Sequence, residues 1–415
     1  MDKLQEKVYG LLRKSESYFK TDMVYLASGG FWLTIGQIIS AVASFLLAIA
    51  FANLIPKETY GTYQYILSIA SLLTIPTLSG IDTALKRAVA QGREGAFFPA
   101  LYTKIRWGLL GGITSVALSG YYYWNGDHTL TIAFLVTAIF LPFMDALSLY
   151  GSILEGRKLF KKSALTGITL GVARVAVLIA VLFSTQNVLL ILFAYYIVTS
   201  ILRCILLIAV IKKLKPQGET DDSVISFGKH LSLMGIVGAV ANQADKVLLW
   251  HFLGAASLAT YSLALAPVAR IQTAFKTLES LAFPKFASSQ KERIKKTLPG
   301  KLFMLRALLI VPVLSYVVAA PYLYEWLFPQ YMESVPYSQI LAIVLFFLPQ
   351  KITGVAITAH THKRALYVTS TVSPIAKLVA LAVLVPYYGI LGVVIAFLVP
   401  YIANAFILSF YLKRL

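Results

Sequence analysis

Residues 163–210 read SALTGITLGVARVAVLIAVLFSTQNVLLILFAYYIVTSILRCILLIAV. Thr185, Gln186 and Asn187 divide this stretch into two apolar runs, and each run has about the 20 residues that a helix needs to cross a bilayer. Both runs are continuously apolar, whereas the strands of a membrane β-barrel alternate apolar and polar residues. The stretch therefore predicts two membrane-spanning helices joined by a short turn.

The rest of the chain repeats this pattern. Of its 415 residues, 58% are hydrophobic and 13% are charged, and the mean hydropathy is +0.75; a soluble protein has about 25% charged residues. Apolar runs bounded by charges, glycine or proline predict twelve helices, at 28–50, 60–81, 103–122, 130–151, 163–184, 188–210, 231–252, 256–278, 302–322, 337–359, 365–386 and 389–411. The chain is thus predicted to be an all-α polytopic membrane protein, with no room for a soluble catalytic domain.

The lysines and arginines alternate between the predicted loops. Of the 37, 29 lie in the two terminal tails and in every second loop, whereas the intervening loops hold only Lys57. Basic residues favour the cytoplasmic side of a membrane. This alternation predicts that both termini are cytoplasmic. It also makes the net charge of +19 mainly a sign of topology rather than of nucleic-acid binding.

The two halves of the chain resemble each other. Residues 55–63 (IPKETYGTY) align with residues 253–261 (LGAASLATY), and the spacing of the predicted helices repeats as well. Because each repeat has an even number of helices, both repeats have the same orientation in the membrane. They are expected to be related by a rotation about an axis along the membrane normal. The predicted parts are an amphipathic cytoplasmic segment (1–27), a first six-helix lobe (28–211), a cytoplasmic linker (212–230) and a second six-helix lobe (231–415).

Nine charged residues are counted inside the predicted helices, whereas Lys104, Arg106 and Arg306, near the starts of two helices, are counted with the adjoining cytoplasmic loops. The nine are Arg174, Arg203, Lys246, Arg270, Lys276, Lys351, Lys377, Asp145 and Asp245. A charge at the centre of a lipid-exposed helix costs about 3 kcal/mol or more, so these side chains are expected to face water, a partner or a substrate. Arg174, Arg270 and Lys377 lie nearest the middle of their helices, with no acid at matching depth. They predict the wall of an anion-binding cavity.

For other charges the sequence leaves alternatives open. Arg203 lies at the depth of Asp145, so an ion pair between them and a role in the cavity are equally supported. Two further sets, close in sequence, are predicted to be local ion pairs: Lys276 with Glu279, and Asp82 with Lys86.

Asn242, Asp245 and Lys246 lie at positions i, i+3 and i+4 of the predicted seventh helix, and hence on one face. An acid inside a membrane can bind a proton or a sodium ion and couple a gradient to movement. Asp245 with Asn242 is therefore the candidate coupling site. The equal alternative is that Asp245 only neutralises a neighbouring lysine or arginine.

The sequence carries no motif for catalysis, a cofactor or a metal. No GxxxxGK[ST] stretch occurs, and residues 151–158 (GSILEGRK) lack the required lysine and hydroxyl positions. His360 and His362 lie in a basic loop without a neighbouring cysteine or carboxylate, so a solvated turn is favoured over a metal site. We therefore predict a protein that is not an enzyme and has no cofactor, with a proton or sodium ion as the candidate coupling ion.

Three segments carry a resemblance to a known family. They are FANLIPKETYGTYQY (51–65), SGIDTALKRAVA (79–90) and NQADKVLLWHFLGAASLATYSLALAP (242–267). With the twelve predicted helices in two parallel repeats, they resemble the O-antigen flippases of polysaccharide biosynthesis, within the multidrug/oligosaccharidyl-lipid/polysaccharide exporter superfamily. The likeness covers essentially the whole chain.

This resemblance implies a flippase of the bacterial inner membrane. It would move an undecaprenyl-pyrophosphate-linked oligosaccharide, such as an O-antigen repeat unit, from the cytoplasmic to the periplasmic leaflet by alternating access. Implied partners are this glycan, membrane lipids, and the polymerase and chain-length regulator of the pathway, but not nucleic acid; the chain would act as a monomer. Since arginine suits bidentate phosphate contact, Arg270, Arg174 and Lys377 are predicted to hold the pyrophosphate, with Lys246 and Lys351 as secondary contacts.

Two other functions stay open. A multidrug or cation antiporter of the same superfamily commonly has a carboxylate in its first helix, but residues 28–50 contain no acid. A net positive interior also attracts organic cations poorly. A membrane glycan polymerase is the weaker alternative, because the longest predicted external loop, residues 323–336, is too short to build an active site.

Overall fold

The structure, a computed structural model of the chain, describes residues 23–221, 223–287, 290–359 and 363–413. Within these ranges it consists of α-helices, short 3-10 turns and loops, and we number the α-helices α1 to α13 in chain order. Their bounds are Met23–Leu54, Lys57–Leu73, Gly80–Ala90, Phe97–Trp124, His128–Met144, Tyr150–Gly156, Phe160–Ser184, Val188–Leu214, Ser223–Ala287, Lys291–Leu327, Val335–Leu341, Leu348–Ala359 and Lys363–Lys413. Most of the predicted amphipathic segment, at 1–22, lies outside the described residues.

Many of these helices suit a membrane. Among the described residues, eight stretches are long and apolar enough to cross one, or nine if the bent pair of α2 and α3 is a single span. Large apolar side chains such as Ile113 on α4 and Val311 and Val318 on α10 are exposed on the outer surface. Water would disfavour so much exposed apolar surface, whereas lipid accommodates it. The protein is therefore an all-helical, multi-span membrane protein.

Two of the spanning stretches fold back on themselves at a glycine. The backbone of α9 is non-helical at Gly254 (φ 77°), and that of α13 is non-helical at Gly389 (φ 56°). Positive φ angles are accessible to glycine because it has no Cβ atom. The breaks divide α9 into 223–253 and 255–287, and α13 into 363–388 and 390–413, close to the ends predicted from the sequence.

Two other predicted helices are interrupted near a proline. The predicted helix 60–81 ends as α2 at Leu73, and a 3-10 turn containing Pro76 leads into α3 after a bend of 51°. The predicted helix 130–151 ends as α5 at Met144, two residues after Pro142, and continues as a 3-10 turn and α6. Proline removes a backbone donor and crowds the preceding turn, which explains the break that contains Pro76, whereas α5 continues through Pro142 and ends two residues after it. Each break leaves an aspartate, Asp82 or Asp145, beside a helix end.

The first and second halves of the chain meet along α2, α3 and α9. A Cβ atom on Gly61 would overlap the backbone carbonyl of Ala255, and a Cβ atom on Gly80 would overlap that of Gly228. Glycine is therefore required at both points for the backbones to approach so closely. The Gly80 amide also donates a hydrogen bond of 2.9 Å to the Ser232 hydroxyl. The two halves thus touch at Gly61 and at Gly80, and we call this contact between α2, α3 and α9 the seam.

The predicted linker, 212–230, is attached to the first half. Arg93 forms an ion pair of 2.9 Å with Asp221, and the amide of Gly95 donates a hydrogen bond to the Glu219 carbonyl. Hydrogen bonds from the Ser223 and Arg93 side chains lower the pKa of Asp221. The residues after Asp221 begin α9, so this part of the linker fixes where α9 starts beside α3.

Candidate functional site

Two arginines from different halves of the chain lie close together beside α2. Arg174 of α7 lies over the ring of Tyr195, with its guanidinium carbon 5.7 Å from the ring centre. Arg270 of α9 is half-buried, and its Nε atom is buried without a hydrogen-bond partner in the described part of the chain. The two guanidinium groups lie within electrostatic range of each other; Arg174 is also in range of Tyr63, and Arg270 of Tyr60. Two predicted site residues therefore converge where the halves meet.

Lys377 has an acidic partner, which the sequence did not predict. Its Nζ atom lies 3.3 Å from Asp245 Oδ2, and both side chains are buried. The same carboxylate oxygen accepts a 2.7 Å hydrogen bond from the Tyr261 hydroxyl. The prediction that Lys377 lacks an acid at its depth is wrong. The contact joins residues 132 positions apart on α9 and α13, and it depends on how these two helices pack, which helix boundaries alone do not give.

Lys246 joins these two groups of charges. It is half-buried on α9, within electrostatic range of Asp245, Lys377 and Arg270. Among the described residues, no carboxylate lies within ion-pair distance of Arg174, Lys246 or Arg270. We call Arg174, Lys246, Arg270, Lys377 and Asp245 the cationic cluster. The cluster contains four cations and one carboxylate, so its net charge is positive in a region of low dielectric.

The candidate coupling residues are not equivalent. Asp245 is buried, whereas Asn242 is exposed one turn earlier on α9. The structure thus places Asp245 as the alternative describes, beside a lysine that it neutralises. A coupling role for Asp245 and Asn242 stays a prediction. Any ion that binds Asp245 has to share it with Lys377.

A second charged cluster lies entirely in the first half. Lys104 of α4 is fully buried, and its Nζ atom lies 2.8 Å from both oxygens of Asp82 and 2.9 Å from Asp145 Oδ2. The predicted local pair of Asp82 with Lys86 is therefore wrong, because Lys86 pairs with Glu155 instead. Asp82 and Lys86 both lie on α3, but each side chain has a closer partner on another helix, Lys104 on α4 for Asp82 and Glu155 on α6 for Lys86. Sequence counting had placed Lys104 among the loop charges and missed this cluster, although the prolines before both aspartates mark the breaks that form it.

Arg203 does not pair with Asp145, so that alternative is also wrong. Asp145 Oδ2 is occupied by Lys104 and accepts a 2.7 Å hydrogen bond from Thr77. Arg203 donates instead to the backbone carbonyl of Met144. Both side chains line a cavity of about 240 Å³ between α2, α5 and α8. Arg203 thus lies in a cavity, but not in the cationic cluster.

Five predicted residues remain to be accounted for. Lys351 is half-buried on α12. The side chains of Lys276 and Glu279, and the histidines His360 and His362, lie outside what the structure describes.

The family follows from a sequence comparison. A profile of the family described as "Polysaccharide biosynthesis protein" matches residues 26–290, which is more than half of the chain. The chain belongs to this family. An uncharacterized membrane protein of Methanocaldococcus jannaschii is 22% identical over 406 residues, covering 88% of this chain and 79% of that protein.

The fold resembles that of solved transporters. A MATE protein crystallised with MaD5 superposes with a TM-score of 0.64 at 11% identity, covering 94% of this chain and 95% of that chain. A MOP superfamily transporter from Pyrococcus furiosus gives a TM-score of 0.59 at 15% identity, covering 93% and 95%. At these identities the likeness shows the fold alone. The predicted all-helical MATE-like fold and the predicted family are confirmed.

Proposed function

We propose that this member of the polysaccharide biosynthesis family is a flippase that is not an enzyme. It moves an undecaprenyl-pyrophosphate-linked oligosaccharide, such as an O-antigen repeat unit, from the cytoplasmic to the periplasmic leaflet by alternating access. The observation that carries the proposal is the convergence of Arg174 from the first half and Arg270 from the second, neither of which has a carboxylate of the described residues within ion-pair distance. A cargo held by both arginines touches both halves at once.

The chemistry of a pyrophosphate fits this cluster. Removing a charge from water without compensation costs several kcal/mol, so the unbalanced cations raise the energy of the empty protein. A pyrophosphate supplies the missing negative charge, and each guanidinium can donate two hydrogen bonds to it. We assign Arg174 and Arg270 as the primary contacts, and Lys246 and Lys351 as secondary contacts.

Lys377 has a conditional role in this proposal. While Asp245 is ionised, Lys377 is held by it at 3.3 Å. A proton or sodium ion on Asp245 would weaken that ion pair and free Lys377 for the pyrophosphate. Asp245, with Asn242 nearby on α9, is therefore the proposed place where an ion gradient acts. No cofactor besides such an ion is proposed.

The proposal includes the number of membrane spans and the side of the membrane on which the termini lie. We propose twelve spans in two parallel six-helix lobes, 28–211 and 231–415, joined by the linker 212–230, with residues 1–27 and both termini on the cytoplasmic side. The breaks at Gly254 and Gly389 support this count, since each divides one long stretch into two helices. The proposed location is the bacterial inner membrane. There a monomer would meet membrane lipids, a polymerase and a chain-length regulator.

A multidrug or cation antiporter is the second candidate, because the MATE proteins share the fold. The charge of the cluster disfavours it, since four cations repel an organic cation. The Pyrococcus furiosus transporter shares the fold too, and it is described as having a binding pocket of reverse polarity that suggests a different function. The fold therefore accommodates more than one polarity. A glycan polymerase remains the weaker candidate.

Transport in proteoliposomes tests the proposal. We expect the wild-type protein to move a fluorescent undecaprenyl-pyrophosphate-linked oligosaccharide between leaflets. Arg174→Gln and Arg270→Gln should each lower the rate at least about tenfold, because each removes a charge-assisted bond of about 1.5–3 kcal/mol. Arg106→Gln, an exposed arginine outside the cluster, is the matched control. Transport of an organic cation but not of the glycan would overturn the proposal.

A further inference from the structure

The cavity beside Arg203 lies in the first half of the chain and differs in character from the cationic cluster. Its volume is about 240 Å³. Its polar lining comes from Ser71 and Thr74 at the end of α2, from Asp145 after α5, and from Tyr195, Tyr196 and Arg203 of α8. Two tyrosine side chains, the hydroxyls of Ser71 and Thr74, and one charge of each sign therefore surround a small space.

The two charged groups leave hydrogen-bonding capacity unused. Lys104 and Thr77 both bind Oδ2 of Asp145, and no described residue bonds to its Oδ1 atom. Arg203 donates through Nη1 to the Met144 carbonyl, while its Nε atom is buried without a partner in the described residues. The carboxylate and the guanidinium do not reach each other. A ligand that both donates and accepts can satisfy the two groups together.

The charge around the cavity is balanced. Lys104 and Arg203 carry two positive charges, and Asp82 and Asp145 carry two negative charges. An isolated anion or cation therefore has no net attraction to this space. A neutral ligand with several hydroxyl groups fits it better.

The cavity adjoins the cationic cluster. Tyr195 lines the cavity, and its ring also lies 5.7 Å from the guanidinium carbon of Arg174. The cavity is smaller than the roughly 300–1,000 Å³ of sites for drug-sized ligands, so it suits a single ring rather than an oligosaccharide. Whatever occupies it lies next to a group bound at Arg174.

We propose that this cavity is a sugar subsite that holds the sugar attached directly to the pyrophosphate. This inference rests on the proposed function. The sugar hydroxyls donate to Asp145 Oδ1 and accept from the Arg203 guanidinium group where it lines the cavity, and the apolar face of the ring contacts the tyrosines. Because part of the hydrogen-bonding capacity of Asp145 and Arg203 stays unused without the sugar, the subsite discriminates against a lipid that lacks it.

Binding of two lipids tests the subsite. The probes are undecaprenyl pyrophosphate and undecaprenyl pyrophosphate carrying one N-acetylglucosamine, titrated against the full-length protein in detergent by microscale thermophoresis. We expect the wild-type protein to bind the sugar-bearing lipid about tenfold more tightly than the bare lipid. Arg203→Gln and Asp145→Asn should each bring the ratio of the two affinities, sugar-bearing lipid to bare lipid, close to one. Arg174→Gln should instead weaken binding of both lipids.

Asp145 also anchors Lys104, so Asp145→Asn can impair folding. Leu67→Trp avoids this difficulty, because it fills the cavity from α2 without removing a charged group. It should abolish the preference while the bare lipid still binds. Equal wild-type affinity for both lipids would overturn the subsite and leave the flippase proposal standing, and so would an equal loss for both lipids in Arg203→Gln. If the wild-type protein binds neither lipid, the proposed function itself is wrong.

Discussion

At the residue scale, the interior charges divide into those that are paired and those that are not. Lys104 has no exposed surface and bridges two aspartates, and Lys377 is paired with Asp245. Arg270 has a buried Nε atom with no partner in the described part of the chain. Paired charges of this kind maintain the structure, whereas unpaired ones are available to a cargo. The distinction separates stability from binding, and mutation can test it.

Replacing Lys104 should destabilise the protein strongly. Lys104→Met leaves the partly buried Asp82 and Asp145 without their cation, and the loss is bounded above by the about 3–5 kcal/mol that breaking a fully buried pair costs. Thermal unfolding in detergent should therefore show a clearly lower Tm. Lys86→Met is the control, because Lys86 forms a partly exposed pair with Glu155, and such pairs contribute about 0–1 kcal/mol. Equal Tm values for the two variants would contradict the structural role of Lys104.

The sequence predicted some of these residues and not others for a physical reason. Arg174 and Arg270 were found because a charge in the middle of an apolar run is costly wherever it lies. The partners of Lys377 and Asp82 were missed because pairing depends on how helices turn against each other. Depth along a helix does not determine that rotation. Lys104 was missed because its helix, α4, begins at Phe97, before the apolar run that predicted it.

At the element scale, the breaks in the helices decide which charges meet. Composition and charge alternation predicted the helices and most of their ends. Glycine and proline marked the places of the breaks, since each changes the backbone locally. The direction taken after a break was not predictable, because it depends on packing between distant helices. The 51° bend between α2 and α3 is an example, since it turns Asp82 toward Lys104.

Gly254 provides a direct test of one break. Gly254→Ala should lower the free energy of unfolding by about 1–3 kcal/mol, because alanine is strained at a φ of 77°. The space around the site is open, so the loss would come from the backbone rather than from a clash. Gly235→Ala on the same helix also meets open space, but with ordinary helical geometry, and should be neutral or slightly stabilising. Equal destabilisation of both variants in detergent would contradict this explanation.

At the scale of the whole molecule, contacts join the two halves on both sides of the cationic cluster. Lys57, the first residue of α2, forms a 2.7 Å ion pair with Glu333, which also accepts a 2.7 Å hydrogen bond from Thr260. On the other side, Gly80 lies against Gly228. Alternating access requires each set of contacts to open in turn. The structure therefore represents one stage of the proposed cycle.

A cross-link between Lys57 and Glu333 should stop that cycle. Cys204 is the chain's single cysteine, so Cys204→Ser gives a background without thiols. In it, Lys57→Cys with Glu333→Cys places one thiol on each of the two backbones that the ion pair joins, and a bifunctional methanethiosulfonate reagent of about the length of the Lys–Glu pair can link them. Linking should reduce glycan transport at least about tenfold, and a reductant should restore it. Lys86→Cys with Glu155→Cys, within the first half, is the control and should transport glycan normally after treatment with the same reagent. Undiminished transport in the locked Lys57–Glu333 variant would show that this end of the molecule need not open.

The close contacts of Gly61 with Ala255 and of Gly80 with Gly228 have an electrical consequence. Where two backbones touch with no side chain between them, a file of water molecules cannot pass. In this conformation the seam is therefore closed to ions and protons at both points, although the proposed cargo has a large charged head group that would cross at other stages. A cell could hold many copies of the protein in this state without dissipating its membrane potential. Bulkier residues at either position would separate the helices, and the first effect would be a leak of ions rather than a loss of cargo binding.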